Sequence, residues 1–301
     1  MKYNMNVHDK ETGENRIVWI DDGRIRYSEL PTERSGIFHL AGDGFNIVPG
    51  KITMDNQVAK AFSQGNGLSY IKRLLLFGFT SFIQLIDLYY ESEFDEKLSN
   101  SRHQLCYCPI DYIHAVRIPI RRFSDNLARK IKNESIPIVF FTVDKVDELE
   151  TTHWKNIVGA MFPRRTLLIC EPNMNLKEQE RDHIIESWKK IVENQRLNSF
   201  IGFPPGGQEV SIFLAKRIGL YPRKSTLMNG SDADYLMYSL VNHPVQPLNF
   251  PDVIVLKGQV IKAGTKWDID AIQGQELTTV IPEKFLPIED INRYEDNKEL
   301  I

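Results

Sequence analysis

The chain has 301 residues, 42% of them hydrophobic and 26% charged, with a formal net charge of −3 and a pI near 6.2. That is the composition of a globular protein with a sizeable core, in one large domain or a large one beside a small one. It excludes the basic character that binding to nucleic acid or an anionic membrane surface needs, and no apolar run approaches the ~20 residues of a bilayer span.

The opening, MKYNMNVHDKETGENR, lacks the apolar core of a signal peptide, so a cytoplasmic chain is expected, with no nucleic-acid and no membrane partner. The next runs, RIVWI and IRYSEL, alternate polar and apolar residues across Asp22-Gly23, the pattern of an antiparallel hairpin. From about residue 45 the texture changes. Strand-like runs FNIV, FTSFIQLID, DYIHAVRIPI, IPIVFFTV, TLLIC and SFIGF alternate with amphipathic helices. SYIKRLLLFG is apolar at Ile71, Leu74 and Leu75 and stops at Gly78; Ser124 can cap the helix holding Leu127 and Ile131. A longer helix lines up Ile184, Ile185, Trp188, Ile191 and Val192, and QEVSIFLAKRIG stops at Gly219. Such alternation predicts a mainly parallel α/β body, a reduced or incomplete (β/α) barrel of six strand–helix units rather than eight. Functional side chains would then sit at the C-terminal ends of the strands.

After Tyr221 the runs YLMYSL, DVIVLKGQVIKAG and LTTVI are again β-like. The simplest plan is a composite β-sandwich from residues 1–47 and 221–285, a barrel-like domain over 48–220, and a charged tail over 286–301. The cysteines, Cys106, Cys108 and Cys170, are too few for a disulfide framework. Cys106-x-Cys108 is a weak metal signal, set against the plainer reading of two buried thiols at a strand entry.

Residues 215–239, AKRIGLYPRKSTLMNGSDADYLMYS, resemble the amidohydrolase superfamily, most closely its dihydropyrimidinase and hydantoinase branch, with Ser225 where a glycine is usual. WIDDGRIRY and DVIVLKGQVIKAG are similar to that family's opening and closing hairpins, and GLSYIKRLLLFGFTSFIQLID to its first barrel helix and second strand. The resemblance implies a metal-dependent hydrolase of C–N bonds, using Zn or another divalent ion to activate water. It also places IVPGKITMDNQ on the first barrel strand. There Thr53 falls at the position of a ligand aspartate, and Asp55 and Gln57 at those of two histidines. Arg117 falls where a carboxylated lysine would bridge two metals, a role closed to a guanidinium, which has no free nucleophilic amine. Thr142 and Asp144 stand for a histidine–glutamate pair, and Cys170 and Glu171 follow where a further histidine is usual.

The seven histidines, His8, His39, His103, His114, His153, His183 and His243, form no H-x-H pair. Each reads as a solvated or satisfied core imidazole; only His114, on a barrel strand, could point inward. The candidate pocket residues are therefore Asp55, Gln57, Arg117, Thr142, Asp144 and Glu171, with no metal ligand assigned and no cofactor expected. Gly206 and Gly207 in FPPGG are either an anion-binding loop or a plain strand-to-helix turn. Of three functions, the substituted metal-ligand positions favour the first. One is a non-catalytic binding, assembly or regulatory protein. Another is a divergent hydrolase of cyclic amides. The third is a sensor in which Arg117 meets a ligand carboxylate or Asp55. Loss of barrel units would leave sheet edges needing cover, from a helix, a loop or a second subunit, and a homo-oligomer is expected on that ground.

Overall fold

The computed structural model describes residues 2–8, 15–27, 38–40, 44–239 and 250–280. Strands β1 (Lys2–His8), β2 (Asn15–Asp21), β3 (Arg24–Tyr27) and β4 (Phe38–Leu40) form one sheet in the order β3-β2-β1-β4. The turn between β2 and β3 is Asp22-Gly23, with φ of 50° and 73°. Positive φ at both positions lets a two-residue turn follow the twist of its strands.

Strand β5 (Phe45–Pro49) and strand β6 (Lys51–Asp55) are separated only by Gly50, yet they belong to different sheets. A side chain at Gly50 would collide with Thr80, since a Cβ there would lie 2.1 Å from Oγ1. Glycine lets the chain change sheets within one residue. Strand β6 starts a parallel sheet that continues through β7 (Phe79–Asp87), β8 (Asp111–Pro119), β9 (Ile138–Val143) and β10 (Leu167–Pro172). The crossovers carry α1 (Val58–Ser63), α2 (Gly67–Leu76), α3 (Phe94–Gln104), α4 (Asp125–Asn133), α5 (Val146–Glu150), α6 (Trp154–Met161) and, after β10, α7 (Glu178–Gln195). Ser124 caps α4 by accepting from the Leu127 amide at 3.1 Å. The parallel sheet has five strands rather than six: SFIGF makes a single bridge, Leu168 to Ser199, and no strand.

Side chains on alternate positions of this sheet enter two cores. Val116, Val139, Phe141 and Leu168 pack under the outer helices with Trp154, Ile184 and Trp188. Ile83, Ala115, Phe140 and Ile169 point to the concave side. That side is filled from within the chain. Phe200, Val210 and helix α8 (Ile212–Arg217), through Leu214 and Ala215, lie across it, followed by Ile218 and Leu220.

The same segment satisfies both edges of the curled sheet. At the β10 edge the Leu168 amide donates to the Asn198 carbonyl at 2.9 Å, and the Ser199 hydroxyl donates to the Leu168 carbonyl at 2.7 Å. At the β6 edge the Gly207 amide donates to Met54 at 3.1 Å and the Val210 amide to Ile52 at 2.8 Å. Residues 198–210 thus form a strap from the last strand back to the first, so of the covers expected for these edges, a helix, a loop or a second subunit, the described residues supply a loop.

Strands β11 (Tyr235–Ser239), β12 (Val253–Leu256), β13 (Gln259–Ala263) and β14 (Lys266–Trp267) join β5 in an antiparallel sheet ordered β14-β13-β12-β11-β5. One face meets the first sheet: Met5, Val18 and Ile20 pack on Ile47, Met237 and Val255, and the Tyr3 and Tyr235 hydroxyls are 2.8 Å apart. The other face, with Leu236, Ile254 and Leu256, packs on Ile71, Leu75 and Phe82 of the barrel-like body.

Two expected boundaries move. Val48 and Pro49 pair with β11 and so lie in the antiparallel sheet. Residues 277–280 of LTTVI form no strand, and Ile281 lies outside the described residues; instead residues 275–277 bond Tyr112 of β8, filling the edge below the start of β9. The charged stretch 286–301 lies outside the described residues. Among the described residues, no helix is long and apolar enough to cross a membrane.

Candidate functional site

The C-terminal strand ends converge on a mouth whose centre is Arg117. It faces the concave side, 5.7 Å from the centroid of Phe140. Its Nε and Nη2 donate to the two carboxylate oxygens of Glu171 at 2.8 and 3.3 Å, and Nη1 donates to Asp87 at 3.2 Å. Strand register sets this up, because Asp87 pairs directly with Arg117 and Arg117 with Phe140, while Glu171 lies one strand beyond. A fork-to-fork guanidinium–carboxylate pair is the strongest geometry such an ion pair can take.

Asp55 does not join it. Its oxygens accept from the Tyr70 hydroxyl at 2.8 Å and from the Gln57 amide at 2.7 Å, so it opens the turn into α1 and ties down α2. The expected Asp55–Arg117 pair is not formed, because the two side chains leave their strands toward different neighbours. Burial and the bond to Asp55 push the Tyr70 hydroxyl up to about 12. The Gln57 side-chain amide turns to Asn56 at 2.8 Å. The polar cluster at 55–57 is thus both lip and turn.

Thr142 sits between Pro119 and Glu171 in the ladder. Asp144 belongs to the next turn, where Asn173 donates to it at 2.8 Å and Arg121 stands 3.9 Å away. The Gly206-Gly207 loop is not an anion cradle: the Gly207 amide is bonded to Met54, and α8 starts only at Ile212 behind a Ser211 cap. Cys106 is exposed rather than buried; Cys108 and Cys170 are buried, and burial pushes both thiols up to about 12.

A divalent ion at this mouth would need donors that the geometry has committed elsewhere. Asp87 and Glu171 are the carboxylates closest to the centre, and both hold Arg117. Among the described residues, one group of three acidic side chains could share an ion: Asp111, Asp232 and Asp234, whose oxygens lie within 4.8 Å of one another. Asp111 starts β8, at the opposite end of that strand from Arg117. The centre of the group is taken by Lys224, whose Nζ lies 2.7, 2.9 and 2.5 Å from the three carboxylates. Lys257 at 2.8 Å from Asp111, Arg223 at 3.0 Å from Asp232 and, more loosely, Arg24 at 4.0 Å from Asp232 complete a knot of three acids and four cations. Burial works against the Lys224 charge, but the three carboxylates outweigh it and raise the ammonium above the ordinary lysine range. Burial also opposes ionisation of Asp111, where Lys224 and Lys257 win and hold the carboxyl low; at Asp234 burial wins and raises it. The residues present do not fit a divalent centre at the mouth.

His114 points away from the concave side. Its Nε2 lies 3.0 Å from Ser101 of α3 and its Nδ1 3.0 Å from Glu276, which Arg102 also grips at 2.7 and 3.0 Å. Burial raises Glu276, but the bonds from His114 and Arg102 outweigh it and hold the carboxyl at about 2. An ionised carboxylate only accepts, so Nδ1 carries the proton toward it. Ser101 and His114 are both buried, which makes this a satisfied core imidazole.

A carboxyl held below its unfolded value adds stability above about pH 4.5 that is lost as pH falls toward 2. Glu276→Gln is therefore expected to flatten the acid limb of the stability curve over that range, removing on the order of 2 kcal/mol near pH 6. Urea titrations at stepped pH would check it; parallel curves for the two proteins would contradict the assignment.

Asp87, Tyr70, Lys224 and Glu276 were not singled out from the sequence. Asp87 could have been found as the last residue of FTSFIQLID, at a strand's C-terminal end. Glu276 had no local signal, since its partner His114 is 162 positions away.

No family model matches this sequence, and a search of curated proteins finds no match. Solved structures do resemble it. A D-hydantoinase superposes with a TM-score of 0.54 at 12% identity, covering 93% of this chain and 99% of that one. A dihydropyrimidinase from Brevibacillus agri gives 0.55 at 11%, with the same 93% and 99%. A triazine hydrolase from Arthobacter aurescens gives 0.50 at 10%, covering 88% and 94%. At these identities the likeness is one of fold.

Proposed function

We propose that this chain, which has the fold of the amidohydrolase superfamily in a five-stranded form, is a non-catalytic binding protein. The observation that carries the reading is Arg117. A permanent cation stands at the centre of the mouth, and the carboxylates that face it are its counter-ions rather than metal ligands. Placing a divalent ion beside a guanidinium is unfavourable by simple Coulomb repulsion. The concave side below is filled by Phe200, Leu214 and Ile218. Without an activated water the C–N hydrolysis implied by hydantoinase and dihydropyrimidinase relatives has no nucleophile here. A homo-oligomer remains compatible with this role but must rest on surfaces other than the two strapped sheet edges, and the cytoplasm is the compartment proposed.

Elemental analysis of purified protein tests the proposal, together with assays on hydantoin and dihydrouracil. The expected result is well under one equivalent of Zn, Mn or Fe per chain and no ring opening. One tightly held metal per chain with turnover would instead support the divergent hydrolase.

A further inference from the structure

A cleft of about 590 Å³ runs from the mouth past Met54 and Asn56 and down the flank of α2. Its size is that of small-molecule sites, which combine apolar walls with a few fixed polar groups. A full barrel would cover the flank of its first strand with the last strand–helix unit. Here that flank carries the strap, which presents only Gly206 and Gly207 to the cleft.

One wall is apolar: Leu74, Phe77 and Phe79, with Phe77 50% exposed. On the same helix stands Arg73, which makes no ion pair among the described residues. Arg102, Arg117 and Arg223 all grip carboxylates. Arg73 is nevertheless aimed. Its guanidinium lies 5.8 Å from the centroid of the Tyr70 ring, and that ring is fixed by the hydroxyl bond to Asp55. Asp55 directs its own oxygens to Tyr70 and the Gln57 amide and Arg117 is paired with Glu171 and Asp87, so the cation of the lining without a carboxylate partner among the described residues is Arg73.

We propose that this cleft binds a small amphipathic monocarboxylate, with Arg73 pairing its carboxylate and Leu74, Phe77 and Phe79 covering its apolar body. A single guanidinium matches a carboxylate through two parallel hydrogen bonds, whereas a phosphate would leave an oxygen with no donor of its own. Arg117, the anchor that the sequence pointed to, is already saturated by Glu171 and Asp87. The inference rests on the binding role proposed above.

Calorimetric titration with 4-phenylbutyrate and with its uncharged amide tests it, on protein whose metal content has been measured. Saturable binding of the acid is expected, with the amide about tenfold weaker or less. Arg73→Gln should bring the acid to the level of the amide. Arg129→Gln, which changes an exposed arginine on α4, should leave binding unchanged. Equal affinity for acid and amide, no saturation by about 10 mM acid, or unchanged binding in Arg73→Gln would overturn the ligand class. An equal loss in Arg129→Gln would reduce the effect to unspecific charge. Metal-free protein that fails to bind sinks this inference alone, whereas one tight metal per chain sinks the binding role beneath it.

Discussion

Lys224→Met is expected to destabilise the protein by about 3–5 kcal/mol, the range for stripping one partner from a buried ion pair. The ammonium is enclosed, its side chain 1% exposed, and it is shared by Asp111, Asp232 and Asp234, whose side chains are at most 6% exposed. Methionine fills much of the volume but leaves three buried carboxylates with cations only at their margin, Lys257, Arg223 and, at 4.0 Å from Asp232, Arg24. Part of that penalty is relieved by protonation, so the variant's loss should be greatest at neutral pH and shrink in acid. The location makes the effect global. Asp111 opens β8 of the parallel sheet, Lys224 and Arg223 follow α8, and Asp232 and Asp234 lead into β11 of the antiparallel sheet. The knot therefore joins two bodies at once, and Asp234 extends it by accepting the Lys257 amide at 2.8 Å.

The double variant Lys224→Met/Asp234→Asn separates charge from packing. If the knot acts through charge balance, removing one acid should recover a large part of the lost stability, which denaturant titration of the four proteins would show as a coupling energy. Additive losses would mean that Lys224 matters for its contacts alone. Arg223, Lys224, Asp232 and Asp234 all lie in the stretch that carried the resemblance in the sequence. Its Arg-Lys and Asp-Ala-Asp residues are the two halves of one ionic joint, and their spacing follows from the turn that brings them together.

The fold was legible where pattern is local. Hairpin turns, helix stripes and the helix stops at Gly78 and Gly219 follow from residues within a few positions of each other, and so does the change of texture at either end of the barrel-like body. The site was less legible because its pairings are made between strands. The family resemblance, rather than any local pattern, pointed to Arg117 and Glu171 as mouth residues, yet nothing in the sequence said that Arg117 would reach across β9 to Glu171 rather than to Asp55. SFIGF looked like a sixth strand because it has the right composition. In the structure its first residues take only one bridge, since the chain must turn inward there to cover the concave side with Phe200. The intramolecular strap could not be read at all, because FPPGGQEV has the look of any surface turn.

That strap supplies the second large effect. Val210→Pro is expected to convert a well-behaved chain into an aggregating one. The Val210 amide donates to Ile52 at 2.8 Å, and Val210 is buried against the concave core. Proline removes the donor and leaves the Ile52 carbonyl buried without a partner, a loss of about 1–3 kcal/mol before any steric term is added. The larger consequence is kinetic access to an edge. With the strap displaced, β6 presents bare backbone groups beside Ile52 and Met54, the arrangement that recruits a strand from another molecule. The exposed salt bridge between Lys51 and Glu209 at 2.6 Å and the hydroxyl bond from buried Thr53 to the Gln208 carbonyl at 2.9 Å hold the same edge, but neither supplies a donor to the Ile52 carbonyl in place of the lost amide. Light scattering during a thermal ramp should show growth of large species in Val210→Pro well below the wild-type transition. Val210→Ala, which keeps the amide, should lose stability without that growth. If the alanine variant aggregates as readily as the proline variant, apolar filling of the concave side rather than edge closure is what keeps the chain apart from its copies.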